Sequence, residues 1–225
     1  LYLLGPAMAR LLHQRGYLVL HASAIVIHGR AGALMAEKGE GKSTMAASLR
    51  QRGHPLLTDD IVALDMSGEK PLAFSGFPQL KLWPEAAEQT GAQPANLPRV
   101  SPDQEKRACR IRDGFYDQAL PLDRVMVLAS GEHDVIEGLP PQQAFMNLVR
   151  HCYTLPMLKD GGTLGDHFRQ AMQLAKKIPI LQLTRRRDLS RIGAIAEMVE
   201  RSIEPAQSLD PSSRRADESL KTMAR

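Results

Sequence analysis

Residues 33–53, ALMAEKGEGKSTMAASLRQRG, read as a short strand, a glycine-bearing loop and a helix closed by Gly53, and that reading sets the class of the whole fold. Ala33 to Ala36 forms the strand and the helix runs from Lys42 to about Arg52. Between them, Ala36-Glu37-Lys38-Gly39-Glu40-Gly41-Lys42-Ser43-Thr44 has the strand–loop–helix setting of a phosphate-binding loop. Gly39 and Gly41 let successive backbone N–H groups turn inward around phosphate oxygens, and the helix opening near Lys42 adds its positive end. Lys38, Gly39, Glu40, Gly41, Lys42, Ser43 and Thr44 are the candidate nucleotide-binding residues. Lys42 is expected to reach the β- and γ-phosphates and the Ser43 hydroxyl to sit on Mg²⁺. The plain alternative is a glycine-rich turn that binds nothing.

Two features depart from the GxxxxGK[ST] pattern. Ala36 stands where the first Gly belongs, and at positive φ an alanine costs about 1–2 kcal/mol, whereas at negative φ it costs nothing. Glu37 and Glu40 place negative charge beside the expected phosphates, partly offset by Lys38.

Downstream of the helix, Pro55 to Thr58 (PLLT) reads as a buried strand ending at Asp59-Asp60. Carboxyl ends of strands face the ligand crevice of an α/β sheet, so this pair is expected to approach the phosphates. One carboxylate can hold Mg²⁺ while the other accepts a proton from an attacking hydroxyl. A pair of Asp residues that only starts a turn is the alternative. Upstream, Tyr17 to Ile27 (YLVLHASAIVI) reads as one strand with His21 in its middle. From local sequence this is a buried, hydrogen-bonded histidine, but a neutral imidazole beside the carboxylate pair could orient the base or relay its proton.

Further out, residues 1–15 carry Leu3, Leu4, Met8, Leu11 and Leu12 at helical spacing. Ile61 to Met66 is a strand. Residues 78–113 read as an irregular, lid-like excursion with one helix at Trp83 to Gln89, in which Leu80, Leu82 and Trp83 form a local packing cluster. Strand character returns at Pro121 to Ala129; Pro141 to Tyr153 and Gly165 to Lys177 are amphipathic helices; Ile180 to Thr184 is a closing strand and Asp188 to Ile203 a final helix. Arg185-Arg186-Arg187 follows a strand and reads as a solvated basic face, with a site for an acidic partner as the alternative. Alternation of strands and helices gives an α/β fold in one domain over residues 1–203, and the Pro-, Ser- and charge-rich residues 204–225 read as a disordered tail.

Composition narrows the function classes. The 225 residues are 43% apolar and 24% charged, enough for a packed core. A net charge of +4 with only 4% aromatics and no basic run interleaved with aromatics argues against a nucleic-acid partner. No apolar run reaches the roughly 20 residues of a membrane span. Cys109 and Cys152 lie far apart with no CxxC, which suits a reducing cytoplasm and no zinc site.

The run LHASAIVIHGRAGALMAEKGEGKSTMAASLRQRGHPLLTDDIVAL, with its His-containing strand, turn, loop, helix and paired Asp, resembles the catalytic core of HPr kinase/phosphorylase-like serine kinases. GFPQLKLWPEAAEQ, LPRVSPDQEKR and LPLDRVMVL resemble more narrowly the shorter HPr-kinase-related proteins found with lasso-peptide biosynthesis, which are similar to kinases that phosphorylate a Ser of a precursor peptide. The resemblance spans roughly residues 3–200 and implies a fold similar to the HPr kinase catalytic domain and the nucleotide domain of phosphoenolpyruvate carboxykinase. It implies ATP and Mg²⁺ as cofactors and a peptide or small-protein substrate with an acceptor Ser; this sequence departs from the bifunctional enzymes in showing no second glycine-rich phosphate segment, so phosphorylase activity is not expected. Residue by residue it implies Lys42 and Ser43 on nucleotide and metal, Asp59 and Asp60 as metal and base carboxylates in either order, and His21 beside them. Lys106-Arg107 matches a basic pair of the peptide-kinase group, to clamp substrate or triphosphate unless it is an ordinary solvated turn. A nucleotide-binding scaffold without catalysis and an NTP hydrolase share the same motifs, and a homo-oligomer is compatible with all three.

Overall fold

The computed structural model describes residues 3–153 and 164–203; the tail at 204–225 lies outside them. The phosphate-type segment forms as its sequence dictates. Strand β3 (Arg30–Met35) feeds a loop that opens helix α2 (Lys42–Gln51). Before it, β1 (Leu18–Leu20) and β2 (Ala22–Ile27) replace the single strand expected over Tyr17–Ile27. No Gly, Pro, Asn or Asp interrupts this stretch, but the neighbours change: β1 pairs with β5 (Val62–Asp65), whereas β2 pairs with β3 and with β4 (Leu56–Thr58). The chain bends where it changes partners, and the His21 N–H leaves the ladder to donate to the His151 carbonyl at 2.8 Å.

The main sheet has the order β4-β2-β3-β10-β12-β11, completed by β10 (Leu120–Ser130), β11 (Val135–Gly138) and β12 (Ile180–Arg185). β10 is parallel to both β3 and β12, and β2 is antiparallel to both β3 and β4. The strands β4, β3, β10 and β12 therefore all point the same way. Their carboxyl ends, with the start of β2, share one edge. At its own start β10 also pairs with β6 (Leu72–Ala73), which joins β5 and β1 to the sheet.

Both faces are covered. Along β10, Val125 and Val127 enter one core with Leu148 of α4 (Pro141–Arg150) and Leu174 of α5 (Leu164–Lys177). Met126 and Leu128 enter the other core with Met45 and Leu49 of α2 and Val199 of α6 (Ile192–Ile203). This double burial explains why the central strands are apolar throughout rather than alternating. The α/β class expected from the sequence is the one observed.

Three expectations are corrected. The amino-terminal helix is α1 (Met8–Gln14) alone, preceded by a π-type turn at Leu3–Ala7 in which Gly5 has non-helical φ and ψ of −124° and −111°. The strand β11 was not anticipated. Residues 78–113 are not irregular: β7 (Gln79–Leu82), α3 (Pro84–Gln89), β8 (Arg99–Ser101) and β9 (Gln104–Arg110) build a small antiparallel sheet of order β7-β9-β8. Its strands are charged on one face, so the pairing rests on cross-strand neighbours and on Leu80 and Leu82 sinking into the core.

Candidate active site

The loop between β3 and α2 sets the site. Gly39 and Gly41 take positive φ of 90° and 82°, the left-handed region that lets backbone N–H groups converge, and Gly41 immediately precedes the helix. Ala36 is not among the residues with positive φ; its methyl is fully buried in the core beneath the loop. The departure from the loop pattern at this position therefore carries no backbone strain. Lys42 is buried and donates from Nζ to the Ala36 carbonyl at 3.0 Å. Burial lowers its pKa, against the pull of Asp60 and Asp59.

The two acidic loop residues differ. Glu37 is exposed, with Arg150 Nε 3.9 Å away. Glu40 turns away from the crevice: its carboxylate pairs with Arg187 and accepts from the Ser130 hydroxyl at 2.8 Å, and its carbonyl accepts from Arg185. Arg185 is buried rather than solvated, so the basic run after β12 is in part a brace for the loop. Arg186 is drawn to the β10–β11 connection by Glu132 and Asp134.

Parallel strands bring the acidic pair to the same edge. Asp59 Oδ1 accepts from Ser23 Oγ at 2.6 Å and Ser43 Oγ at 3.1 Å, and Oδ2 accepts from the Lys81 backbone N–H at 3.0 Å. Burial and the neighbouring Asp60 charge raise the Asp59 pKa, and these three donors oppose the rise. Asp60 adopts a φ of 70°, and its carboxylate pairs with Lys81 Nζ. Burial pulls its pKa upward, but Lys81, His21 and Lys106 outweigh that and hold it below the ordinary carboxylate value. His21 Nδ1 lies 3.0 Å from the Asp60 backbone oxygen. A carbonyl only accepts, so Nδ1 carries the proton and Nε2 keeps its lone pair. Burial and Lys42 lower the His21 pKa, which favours that neutral form. The histidine thus steadies the left-handed backbone of Asp60 rather than touching its carboxylate.

Lys38, Lys42, Lys81 and Lys106 all line a cavity of about 520 Å³ that Asp60 and His21 also face. Four cations and one carboxylate make it suited to a polyanion. Ser43 and Thr44 also face this space. Lys106 lies over Trp83, 5.8 Å from the ring centroid, and Trp83 is 44% exposed and lines the cavity instead of joining Leu80 and Leu82 in the core. Arg107, next along β9, is not among the cavity residues and pairs with Glu105.

The residues present fit Mg²⁺. Magnesium takes one or two protein oxygens at about 2.1 Å, and adjacent ligands of such an octahedron lie about 3 Å apart; Ser43 Oγ and Asp59 Oδ1 are 3.1 Å apart. Among the described residues there is no cluster of three or more His, Cys, Asp or Glu able to hold a metal by itself. Also among the described residues, no helix is long and apolar enough to cross a membrane, and Cys109 and Cys152 are unbridged and buried.

Sequence reasoning missed Lys81, and it read Arg185 and Arg187 as a solvated face rather than as partners of Glu40. The first had a signal: in Gln79-Leu80-Lys81-Leu82 the alternation of apolar and polar residues marks a strand with Lys81 directed away from the core.

No protein-family model matches the chain. Over 60 residues, 27% of this chain, it is 40% identical to the HPr kinase/phosphorylase of Chlorobium phaeobacteroides (strain BS1), and over a stretch of the same length 38% identical to that of Prosthecochloris aestuarii (strain DSM 271 / SK 413). The matched stretch spans only 18% of the length of each of these relatives. Among solved structures, the Hpr(Ser) kinase/phosphatase from Coxiella burnetii aligns with 83% of this chain and 99% of its own, at a TM-score of 0.42 and 11% identity. Along the matched stretch the chain is similar to these HPr kinase/phosphorylases.

Proposed function

We propose that this protein is an ATP- and Mg²⁺-dependent kinase that transfers the γ-phosphate to a Ser hydroxyl of a peptide or small protein. The observation that carries the reading is the convergence of Lys42, Asp60 and His21 on one cavity at the mouth of the phosphate-type loop. The loop amides and Lys42 hold the triphosphate and stabilise charge on the transferring group. Asp60 is the base, because it faces the cavity, and Asp59 is the metal carboxylate, because it shares Oδ1 with the Ser43 hydroxyl. Bound Mg²⁺ supplies charge neutralisation on the phosphates.

The acceptor oxygen attacks the γ-phosphorus in line, the bond from that phosphorus to the bridging oxygen breaks, and Asp60 takes the hydroxyl proton as ADP leaves. Lys81 keeps Asp60 ionised, and the neutral His21 fixes its backbone. A lasso-type precursor peptide is the acceptor that the sequence resemblance favours, and the lysines about the cavity suit an acidic or carboxylate-bearing segment.

The test is transfer of label from γ-labelled ATP with Mg²⁺ to a peptide ending in Ser, comparing wild type with Asp60→Asn and Lys42→Ala. Label on the peptide that both substitutions abolish is the expected result. Release of phosphate independent of the peptide points instead to an NTP hydrolase, and ATP binding without turnover to a scaffold.

A further inference from the structure

Asp59 and Asp60 occupy a bend between β4, which ends at Thr58, and β5, which starts at Val62. Among the described residues, the non-glycines with positive φ are His28 at 49° and Asp60 at 70°. A side chain in that region stays there only if its surroundings hold it. The His21 ring supplies one tether, on the Asp60 carbonyl. The next carbonyl along the chain has its own: Thr58 Oγ1 donates to the Ile61 carbonyl at 2.7 Å, and Thr58 is buried. We infer that Thr58 is a positioning residue for phosphoryl transfer, orienting the Asp60 carboxylate by closing this bend, with Gly76 as the residue that makes room for it. The inference rests on the reading of Asp60 as the base. It adds two residues that lie outside the cavity wall.

The geometry explains the choice of residue. With the carbonyls of residues 60 and 61 both bound by side chains, the peptide planes on either side of Ile61 are fixed. The direction in which the Asp60 side chain leaves the backbone is fixed with them. Valine would fill the volume of Thr58 but would leave the Ile61 carbonyl without this donor.

The connection between β6 and β7 braces the bend from outside. The Phe74 N–H donates to the Ala63 carbonyl at 3.0 Å, on the β5 arm, and the Gly76 N–H to the Leu57 carbonyl at 2.9 Å, on the β4 arm. This strap therefore ties both arms together. Where it crosses Thr58 it must be glycine: a Cβ at Gly76 would overlap the Thr58 hydroxyl and come within 2.8 Å of the Thr58 Cβ. Any side chain there drives the hydroxyl from its place or lifts the strap. Five residues further on, the same stretch of chain delivers Lys81, whose ammonium pairs with Asp60 and whose backbone N–H donates to Asp59. The seating of Gly76 on Thr58 thus sets the base from two sides, through its own bend and through the cation beside it.

The experiment measures label transfer from γ-labelled ATP with Mg²⁺ to a peptide ending in Ser, beside ATP affinity by calorimetry. Thr58→Val should lower kcat about tenfold while ATP affinity stays within about twofold. Thr58→Ser keeps the hydroxyl and should retain most of the rate. Gly76→Ala should fall like Thr58→Val, and the two combined should lose little more than either alone. Burial raises and Lys81 lowers the pKa of the Asp60 carboxyl, so a loosened pairing should move the acid limb of the rate profile to higher pH. An unchanged kcat in folded Thr58→Val, or equal losses in Thr58→Val and Thr58→Ser, overturns the inference. Should Thr58→Val fail to fold, Gly76→Ala decides, and a wild-type rate in that variant overturns it. Should the wild type transfer no phosphate, the kinase reading falls by itself. The Asp60 carboxyl titration, followed by carbon-13 NMR, then tests Thr58 separately: a midpoint that Thr58→Val leaves unchanged overturns its role, and one that it raises upholds the tether.

Discussion

The Glu40 carboxylate, inside the phosphate-type loop, pairs with the Arg187 guanidinium just beyond the end of β12, and Ser130 at the end of β10 donates to the same carboxylate. An acidic residue that should repel phosphate is thereby turned outward and neutralised. Arg187→Ala should free that charge and weaken ATP binding about tenfold. Adding Glu40→Gln to Arg187→Ala should restore most of the affinity, since the offending charge is then gone. A calorimetric double-mutant cycle checks this, and strictly additive losses would contradict it.

Ala36 lies buried without positive φ, so the glycine of the usual loop pattern is not required there. Ala36→Gly should cost about 1 kcal/mol of stability through greater freedom of the unfolded chain and lost burial. ATP affinity should stay within about twofold, because no strain is relieved. Chemical denaturation and calorimetry on the same preparation separate the two effects.

Lys81 ties both acidic residues, through its backbone N–H to Asp59 and its side chain to Asp60. Lys81→Met keeps the backbone bond and removes the charge, leaving a largely buried carboxylate without its partner. Transfer activity should fall about a hundredfold with little change in ATP affinity. Lys81→Arg should recover much of the loss. Steady-state rates beside equilibrium ATP binding test the split, and a loss confined to ATP affinity would contradict it.

Lys42→Ala should lower transfer by about two to three orders of magnitude, the usual consequence of removing one preorganised cation from a transferring group. Among the described residues the Lys42 side chain donates to the Ala36 carbonyl alone, so the variant should melt close to the wild type. Retained activity in a folded Lys42→Ala protein would remove the loop from the mechanism.

Acid stability should report His167, which is fully buried on α5 with Nδ1 3.6 Å from Cys152 Sγ. Burial, with a smaller contribution from His13, pushes its pKa down to about 4 from 6.5. The unfolded chain therefore binds the proton more readily. The stabilising effect of the neutral ring is complete above about pH 6.5 and declines as pH falls toward 4, by no more than about 1.4 kcal/mol per unit. Urea midpoints between these pH values should fall in the wild type and fall less in His167→Gln.

How much of this was legible in the sequence depends on how locally each feature is encoded. Gly39, Gly41, Lys42 and the Asp59–Asp60 pair lie on the loop-helix-strand unit itself, so spacing alone places them. The break at His21 is invisible because no Gly, Pro, Asn or Asp marks it, and only the change from β5 to β3 and β4 as partners bends the chain. The sheet of β7, β8 and β9 was obscured by charge: Gln104-Glu105-Lys106-Arg107 shows no apolar alternation, and pairing across strands supplies what local preference does not. Arg185 and Arg187 meet the loop across about 145 residues of chain, as the separation between Arg185 and Glu40 shows. No local pattern can announce such a contact.

That separation also sets an order of assembly. Lys42, Asp60, Lys81 and Lys106 have all left the ribosome well before β12, yet the brace on Glu40 comes from the residues that end and follow that strand. A growing chain can lay β3 against β2 early, but it holds a loop with an uncompensated acid until Ile180–Arg185 docks beside β10. On the proposed function, competence to hold a nucleotide waits until β12 has been made, so that shorter nascent chains carry the motif without the grip.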